Sequence, residues 1–454
     1  MSKSLINKYN VAGPRYTSYP TVPYWSPDTF SVDKWQDSLI KSFNESNSKE
    51  GISIYIHLPY CESLCTFCGC NKRITKQHTV ETPYINAVLK EWRLYLELFN
   101  EKPLIKELHL GGGTPTFFSP DNLTRLISGL LEHAVLANNN EFSFEGHPNN
   151  TTKEHLQTLY NLGFKRVSYG VQDYNPTVQK AIHRIQPFEH VKRATEMARE
   201  IGYSSVGHDI IFGLPFQTID HVKETILKTK ALLPDRLAFY SYAHVPWIKG
   251  NGQRGFNEAD LPKPEIKRIQ YELGKELLSE VGYVEVGMDH FALKTDSLYQ
   301  SMVNGKLHRN FMGYTASKTQ AMIGLGVSSI SDSWYGFAQN EKKIEDYYKR
   351  LKNDELPVFR GHILNKEDLV IRKHILNLMC RFKTSWSNTK GYFTELPEVL
   401  IRLKEMEVDG LLNITSNTIE ITEKGQPFVR NICMAFDLLL QRKQPNTQLF
   451  SMTV

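Results

Sequence analysis

Four of the chain's six cysteines fall within ten positions, Cys61-Glu-Ser-Leu-Cys65-Thr-Phe-Cys68-Gly-Cys70. Thiols this dense in a reducing compartment read first as metal ligands. A tetrahedral zinc would take four sulfurs, but structural zinc sites usually present two Cys-x2-Cys pairs with a spacer between them. Here the spacing is Cys-x3-Cys-x2-Cys with a fourth cysteine just beyond, and Cys68 and Cys70 are too close to share one ion comfortably. Three ligands suffice for an iron–sulfur cube whose fourth iron lacks a protein ligand. An open iron can be chelated by the amino and carboxylate groups of S-adenosylmethionine. An electron passed into the sulfonium then breaks a carbon–sulfur bond and releases a 5′-deoxyadenosyl radical. Phe67, before the third cysteine, is an aromatic that can pack on adenine. Structural zinc and an ordinary electron-transfer cluster are the alternatives left open by the residues alone.

Other residues with chemical potential stand further along. Gly111-Gly112-Gly113-Thr114 lacks the Gly-Lys-Ser/Thr ending of a phosphate loop and the spacing of a dinucleotide fingerprint. Bare backbone there can approach a ligand, and its carbonyls can accept from an ammonium; a tight turn is the plain alternative. Glu145 and Asp209 lie in apolar runs where an unpaired charge is costly. Each therefore wants a hydroxyl, ammonium or arginine partner, whether on a ligand or from Arg184. His57 reads as a hydrogen-bonded core histidine as readily as a chemical group. Arg15 either sits solvated or points at a carboxylate, and Arg309 with its aromatic neighbours suits a flat anionic substrate.

The elements that must position these residues alternate. Residues 52–58, Ile-Ser-Ile-Tyr-Ile-His-Leu, read as a strand with isoleucines toward covering helices and Tyr55 and His57 toward a polar lumen. Further strands are expected at 106–110, 141–145, 166–172, 206–212 and 236–243, with helices over 82–99, 120–136, 152–162, 188–201 and 218–232. Six strands alternating with helices imply a parallel sheet with right-handed crossovers. In a (β/α) barrel the working residues sit at the carboxyl ends of strands. The cysteine loop, the glycines, Glu145 and Gln172 obey that rule, with Asp209 on the fifth strand. The expected fold is α/β: an incomplete (β/α)6 TIM-like barrel over 37–365, an N-terminal arm (1–36) lying on it, and a mostly helical C-terminal domain (366–454). That last part shows helices at 367–380 and 395–407, a hairpin around Ser416-Asn417 and a final helix over 426–442. It resembles a winged helix, but the helix before the hairpin carries more acid than base, so a lid or scaffold role is favoured over DNA binding. Cys380 and Cys433 read as buried structural thiols.

Composition sets outer bounds. The 454 residues are 41% hydrophobic, enough for a large core, and the formal charge is only +5. No run reaches the roughly 18 apolar residues of a bilayer span, and no signal peptide is apparent. A cytoplasmic address, no nucleic-acid partner and a monomeric state are expected.

The chain resembles the oxygen-independent coproporphyrinogen III oxidases (coproporphyrinogen dehydrogenases), a radical S-adenosylmethionine group, nearly end to end. The likeness is carried by Gly13-Pro-Arg-Tyr-Thr-Ser-Tyr-Pro20, the cysteine motif, Gly111-Gly-Gly-Thr-Pro-Thr116, Gly170-Val-Gln-Asp173, Gly287-Met-Asp-His-Phe-Ala292, His308-Arg-Asn-Phe311 and Arg430-Asn-Ile-Cys433. The resemblance implies that Cys61, Cys65 and Cys68 ligate a 4Fe–4S cluster and that Cys70 matters without ligating it. It implies a first S-adenosylmethionine against Tyr55, Gly112, Glu145 and Ile330. A second would meet Phe67, Gly113, Thr114, Gln172, Arg184, Asp209 and Ala243, with Tyr55, Cys70 and Asp209 in catalysis. The implied reaction turns two propionate side chains of coproporphyrinogen III into vinyl groups, fed by a low-potential electron donor. Where the family pattern has Glu-Val-Asp-Pro, this chain has Glu145-Gly146-His147-Pro148. Two rival readings are a haem-binding chaperone relative and a zinc-stabilised nucleic-acid module. The haem branch usually lacks the fourth cysteine and the Gly-Pro-Arg-Tyr arm; the zinc module needs a basic recognition surface.

Overall fold

Seven parallel strands form the centre of the molecule. In the computed structural model, which describes residues 3–247, 252–253, 255–387, 389–443 and 449–453, they are β1 (Ile52–Leu58), β2 (Leu104–Gly112), β3 (Val135–Gly146), β4 (Phe164–Gln172), β5 (Ser205–Phe212), β6 (Arg236–Ser241) and β7 (Ala321–Leu325). β7 lies beside β1, and β2 to β6 follow β1 in chain order. Parallel neighbours need crossovers, supplied by helices Glu81–Leu96, Pro120–Leu131, Lys153–Asn161, Phe188–Ile201 and Ile219–Leu232. Their starts are written locally. Ser119 caps the helix that opens with Pro120, and Thr152 and Thr218 each form a capping box with a histidine three residues on.

The six expected strands are all present, and β7 is a seventh. Its sequence Ala-Met-Ile-Gly-Leu is buried on every residue, so it has no alternation to betray it. Antiparallel strands extend the sheet beyond β7 (Ile330–Asp332, Gly336–Asn340, Val358–Ile363) and beyond β6 (His290–Ala292, Val284–Glu285). Among the described residues the two outer edges do not pair with each other, so the barrel stays open. The helix expected at 120–136 stops at Leu131, and β3 starts at Val135, whose amide reaches Pro103 O at 2.9 Å beside β2. The asparagines at 138–140 are poor helix formers, and pairing with β2 prevails.

The β1 isoleucines are fully buried against Trp35, Leu39, Tyr84, Val88 and Trp92 of flanking helices, each contributing about 1.5–3 kcal/mol. The arm does not simply lie on the barrel. Tyr9, Tyr16 and Tyr19 join the apolar cluster of the C-terminal helices with Ile375, Val399, Ile432 and Phe436. Two of their hydroxyls find carboxylates there: Tyr16 donates to Asp437 at 3.1 Å and Tyr9 to Asp409 at 2.6 Å. Buried Arg430 donates to the carbonyls of Gly13, Pro14 and Met452. Trp25 of the arm meets the sheet, stacked on Phe337 at 5.5 Å.

The C-terminal region has helices Lys366–Arg381 and Leu396–Val408 and the expected hairpin, to which Lys383–Ser385 adds a third strand. The single helix expected over 426–442 is broken into Gln426–Phe428, Val429–Phe436 and Leu438–Lys443. The break falls at Asp437, whose carboxylate accepts from both Tyr16 and the Leu440 amide. No helix among the described residues is long and apolar enough to cross a membrane.

Candidate active site

The loop after β1 is clipped in place by backbone bonds. Thr66 N donates to Ile182 O at 2.9 Å and Thr66 Oγ1 to Ala181 O, while His183 Nδ1 meets Leu64 O at 2.8 Å. Gly113 N donates to Leu58 O and Thr114 N to Tyr60 O, fixing the turn after β2 against the same loop. Two glycines there are required. Gly112 has φ +112°, and a Cβ would sit 2.7 Å from the His57 ring; a Cβ on Gly113 would sit 2.7 Å from the Pro59 backbone. His57 is a satisfied core histidine. Its Nδ1 accepts from Tyr55 OH at 3.0 Å, its Nε2 donates to Asn71 O at 2.8 Å, and burial holds it neutral.

These turns surround a cavity of about 530 Å³ at the carboxyl ends of the strands. Cys61, Cys65, Cys68 and Cys70 line it together with Phe67, Gly112, Gly113, Thr114, Glu145, Gln172, Arg184 and Asp209. The thiols do not converge on a point: among the described residues no three His, Cys, Asp or Glu side chains are grouped so as to hold a single ion. Burial pushes the Cys61 thiol up to about 11, although Thr114 Oγ1 donates to its sulfur at 3.4 Å. The closeness of Cys68 and Cys70 pulls the first thiol below the ordinary thiol value and the second above it. Lys72, which donates to Cys68 O at 3.1 Å, and Arg184, 3.7 Å from Cys65 Sγ, place positive charge beside the sulfurs. Thiolates so compensated are the donor set an iron–sulfur cube needs.

The polar wall is under constraint. Arg184 donates to Gly170 O at 2.6 Å, yet its buried Nε has no partner. Gln172 holds φ +65° in the left-handed region, a costly conformation that clusters at functional sites. Glu145 accepts from Gly112 N at 3.2 Å. Ser168 Oγ donates to Asp209 Oδ1 at 3.0 Å, while burial, reinforced by the charge of Glu145, pushes the Asp209 carboxyl up to about 7.

Three residues expected at the site stand off the cavity wall. Tyr55 lies beneath it, where a Cβ on Gly111 would touch both the Tyr55 ring and the Glu145 carboxylate. Ala243 is tied to the cysteine loop indirectly: Gln253 Nε2 donates to both Ala243 O and Phe67 O at 3.0 Å. Ile330 packs near Trp25 and Phe337, beyond β7 from the cavity. Arg15 finds a carboxylate rather than water alone, with Asp289 at 3.4 Å and Ser241 O at 2.9 Å. Arg309 is buried, donates to Arg15 O at 3.2 Å and lies over the Tyr314 ring at 4.5 Å; it lies off the cysteine cavity. Cys380 and Cys433 are buried as expected. The sequence reading assigned no place in the site to His147, Lys72 or His183, all of which line it. The departure at His147 was the one signal available. Burial and Arg184 keep its imidazole neutral, and its Nδ1 accepts from Asn149 N at 3.2 Å.

Comparison with known proteins follows the same outline. Residues 55–228 match the model of the radical SAM superfamily. The oxygen-independent coproporphyrinogen III oxidase of Helicobacter pylori (strain J99) is 38% identical over 96% of this chain and 96% of its own length. That of Escherichia coli K12 is 36% identical over 97% of this chain and 96% of its own. The solved structure of an Escherichia coli coproporphyrinogen III oxidase, described as a radical SAM enzyme, superposes with a TM-score of 0.88. It is 35% identical and covers 96% of this chain and 98% of that one.

Proposed function

The chain belongs to the oxygen-independent coproporphyrinogen III oxidases, and from that membership we propose that it decarboxylates two propionates of coproporphyrinogen III to vinyl groups, giving protoporphyrinogen IX. It is a radical SAM oxidoreductase of porphyrin biosynthesis, a family that uses a 4Fe–4S cluster and S-adenosylmethionine. One observation carries the reading: four thiols share one cavity with a glycine turn, the carboxylates of Glu145 and Asp209 and the half-buried Arg184.

Cys61, Cys65 and Cys68 would hold the cluster as thiolates, their protons released to solvent when it binds. Cys70 stays off the iron, on the wall of the same cavity beside Cys68. When bound, the cluster would supply an electron to the sulfonium and so a 5′-deoxyadenosyl radical able to take a hydrogen from the propionate β-carbon; loss of carbon dioxide, with one electron passed on to an acceptor, would then leave the vinyl group. The protein's own work is placement. Glu145, already accepting from Gly112 N, takes a further donor from a first S-adenosylmethionine, with Tyr55 and Ile330 supporting that side. A second molecule is held by Phe67, Gly113, Thr114, Gln172, Arg184, Asp209 and Ala243. The free Nε of Arg184 suits its carboxylate and Asp209 its ribose or ammonium. The arm, barrel and C-terminal helices divide near residues 36 and 365. The enzyme is cytoplasmic, works as a monomer, and draws electrons from a low-potential donor.

The test is anaerobic turnover: reconstituted protein with coproporphyrinogen III, a reductant and S-adenosylmethionine, with the porphyrins separated afterwards. Vinyl product supports the reading. Tight haem binding without vinyl product would select the haem-chaperone alternative.

A further inference from the structure

A second cavity, of about 840 Å³, lies away from the cysteines and takes no part in the reaction above. One wall is the helix Lys366–Arg381, which lines it with Lys373, Leu376, Asn377, Cys380 and Arg381. These recur at i, i+3, i+4, i+7 and i+8, so they share one helix face. A cation stands at each end of that face, with Leu376 and Cys380 between. At 1.5 Å per residue the backbone positions that carry them are about 12 Å apart along the axis, and Arg381 also donates to Gly305 O at 2.9 Å. The facing helix, Ser297–Val303, offers hydroxyls and an amide from Ser297, Gln300 and Ser301. Lys306 and Lys318 enter from the two ends of the hairpin that spans 308–315, and Trp334 adds a flat apolar surface.

The charge is one-sided. The one carboxylate on the lining, Glu141, is held by Arg166 at 3.0 Å. That leaves Lys306, Lys318, Lys373 and Arg381 around the cavity with no acid of its own to meet them. A phosphate chain concentrates its charge within a few ångströms. Cations on backbone positions about 12 Å apart, flanking an apolar strip, instead suit carboxylates carried on separate arms of one large body.

We propose that this trough binds a polycarboxylate with an apolar body, the chemical class of the porphyrinogen handled at the cysteine cavity; the identity of the ligand rests on that functional reading. The site is separate from the reaction centre. Lys106 lines the trough and Gly112 lines the cysteine cavity, and along β2 six residues at about 3.3 Å each put them roughly 20 Å apart.

The test uses the reconstituted holoprotein, titrated under nitrogen with coproporphyrin III. This oxidised macrocycle keeps the carboxylates of the substrate without being turned over. Fluorescence quenching should count two porphyrins per wild-type chain. It should count one in the double variant Lys318→Glu/Lys373→Glu, the affected site weakening at least about tenfold. Both lysines are exposed, so the fold and the rate of vinyl formation at low substrate should be unchanged. One porphyrin per wild-type chain, or equal counts in both proteins, overturns the proposal. Vinyl formation with equal counts would sink this inference alone. Absence of vinyl product with a second, charge-sensitive porphyrin would sink the functional reading and leave the trough standing.

Discussion

Cys68 and Cys70 are two positions apart, yet the account gives them different work. Changing Cys61, Cys65 or Cys68 to Ala should abolish the brown iron–sulfur absorbance, whereas Cys70→Ala should keep it and lose turnover. Iron and sulfide analysis of the four variants checks this, and an iron-free Cys70→Ala would refute the ligand assignment. Asp209 makes a pH prediction. Its carboxyl is pushed up to about 7, so the ionised form that can accept from a ribose or ammonium gains only above that pH. Calorimetric binding of S-adenosylmethionine should tighten from pH 6 to 8 and approach a limit above it, by up to about tenfold per unit below the pKa. Asp209→Asn should remove that dependence. At this scale the sequence spoke through residue type and spacing: cysteines, glycines and isolated acids in apolar runs were visible. His183 was not, because only folding brings the residue before Arg184 against Leu64 of the cysteine loop; Lys72, two positions past Cys70, carried no signal to set it apart from a solvated lysine.

Glu91 shows how an element far from the chemistry holds the framework. It stands on the helix Glu81–Leu96, fully buried. It accepts from Gly326 N at 2.8 Å, Tyr347 OH at 2.7 Å and Asn340 Nδ2 at 2.6 Å, tying down the turn after β7. Glu91→Ala leaves the Gly326 amide and the Tyr347 hydroxyl buried and unpaired, while Asn340 Nδ2 keeps Gly326 O and Ser329 Oγ, and should cost about 3 kcal/mol in urea unfolding. Burial raises its carboxyl from 4.5 to about 7. Between those values the folded state binds more protons than the unfolded chain, so the stability it contributes falls as pH rises. The gap between wild type and Glu91→Ala should therefore be larger at pH 5 than at pH 8. The strand–helix rhythm was readable because β1 alternates and the crossover helices carry caps. β7 escaped because both its faces are covered, and the helix break at Asp437 escaped because its cause, Tyr16, lies more than four hundred residues away in the chain.

Across the whole molecule, the two ends of the chain close on each other. Tyr16, 2% exposed, sits in the C-terminal cluster, and Arg430 gathers the carbonyls of the arm. Tyr16→Ala should destabilise the protein by about 3 kcal/mol or more through the cavity it leaves, and Tyr16→Phe by only about 1 kcal/mol for the lost hydrogen bond; thermal unfolding of both checks the ordering. Aromatic residues in the arm announced that it would adhere, but not to which surface, because the carboxylates that Tyr9 and Tyr16 meet lie at the far end of the chain. The account as a whole stands on a cube held at three corners with S-adenosylmethionine at the fourth. Its most direct test is electron paramagnetic resonance of the reduced, reconstituted protein before and after S-adenosylmethionine is added. A 4Fe–4S signal that changes on addition is predicted; a signal indifferent to the cosubstrate, or a chain carrying a single zinc in place of iron, contradicts it.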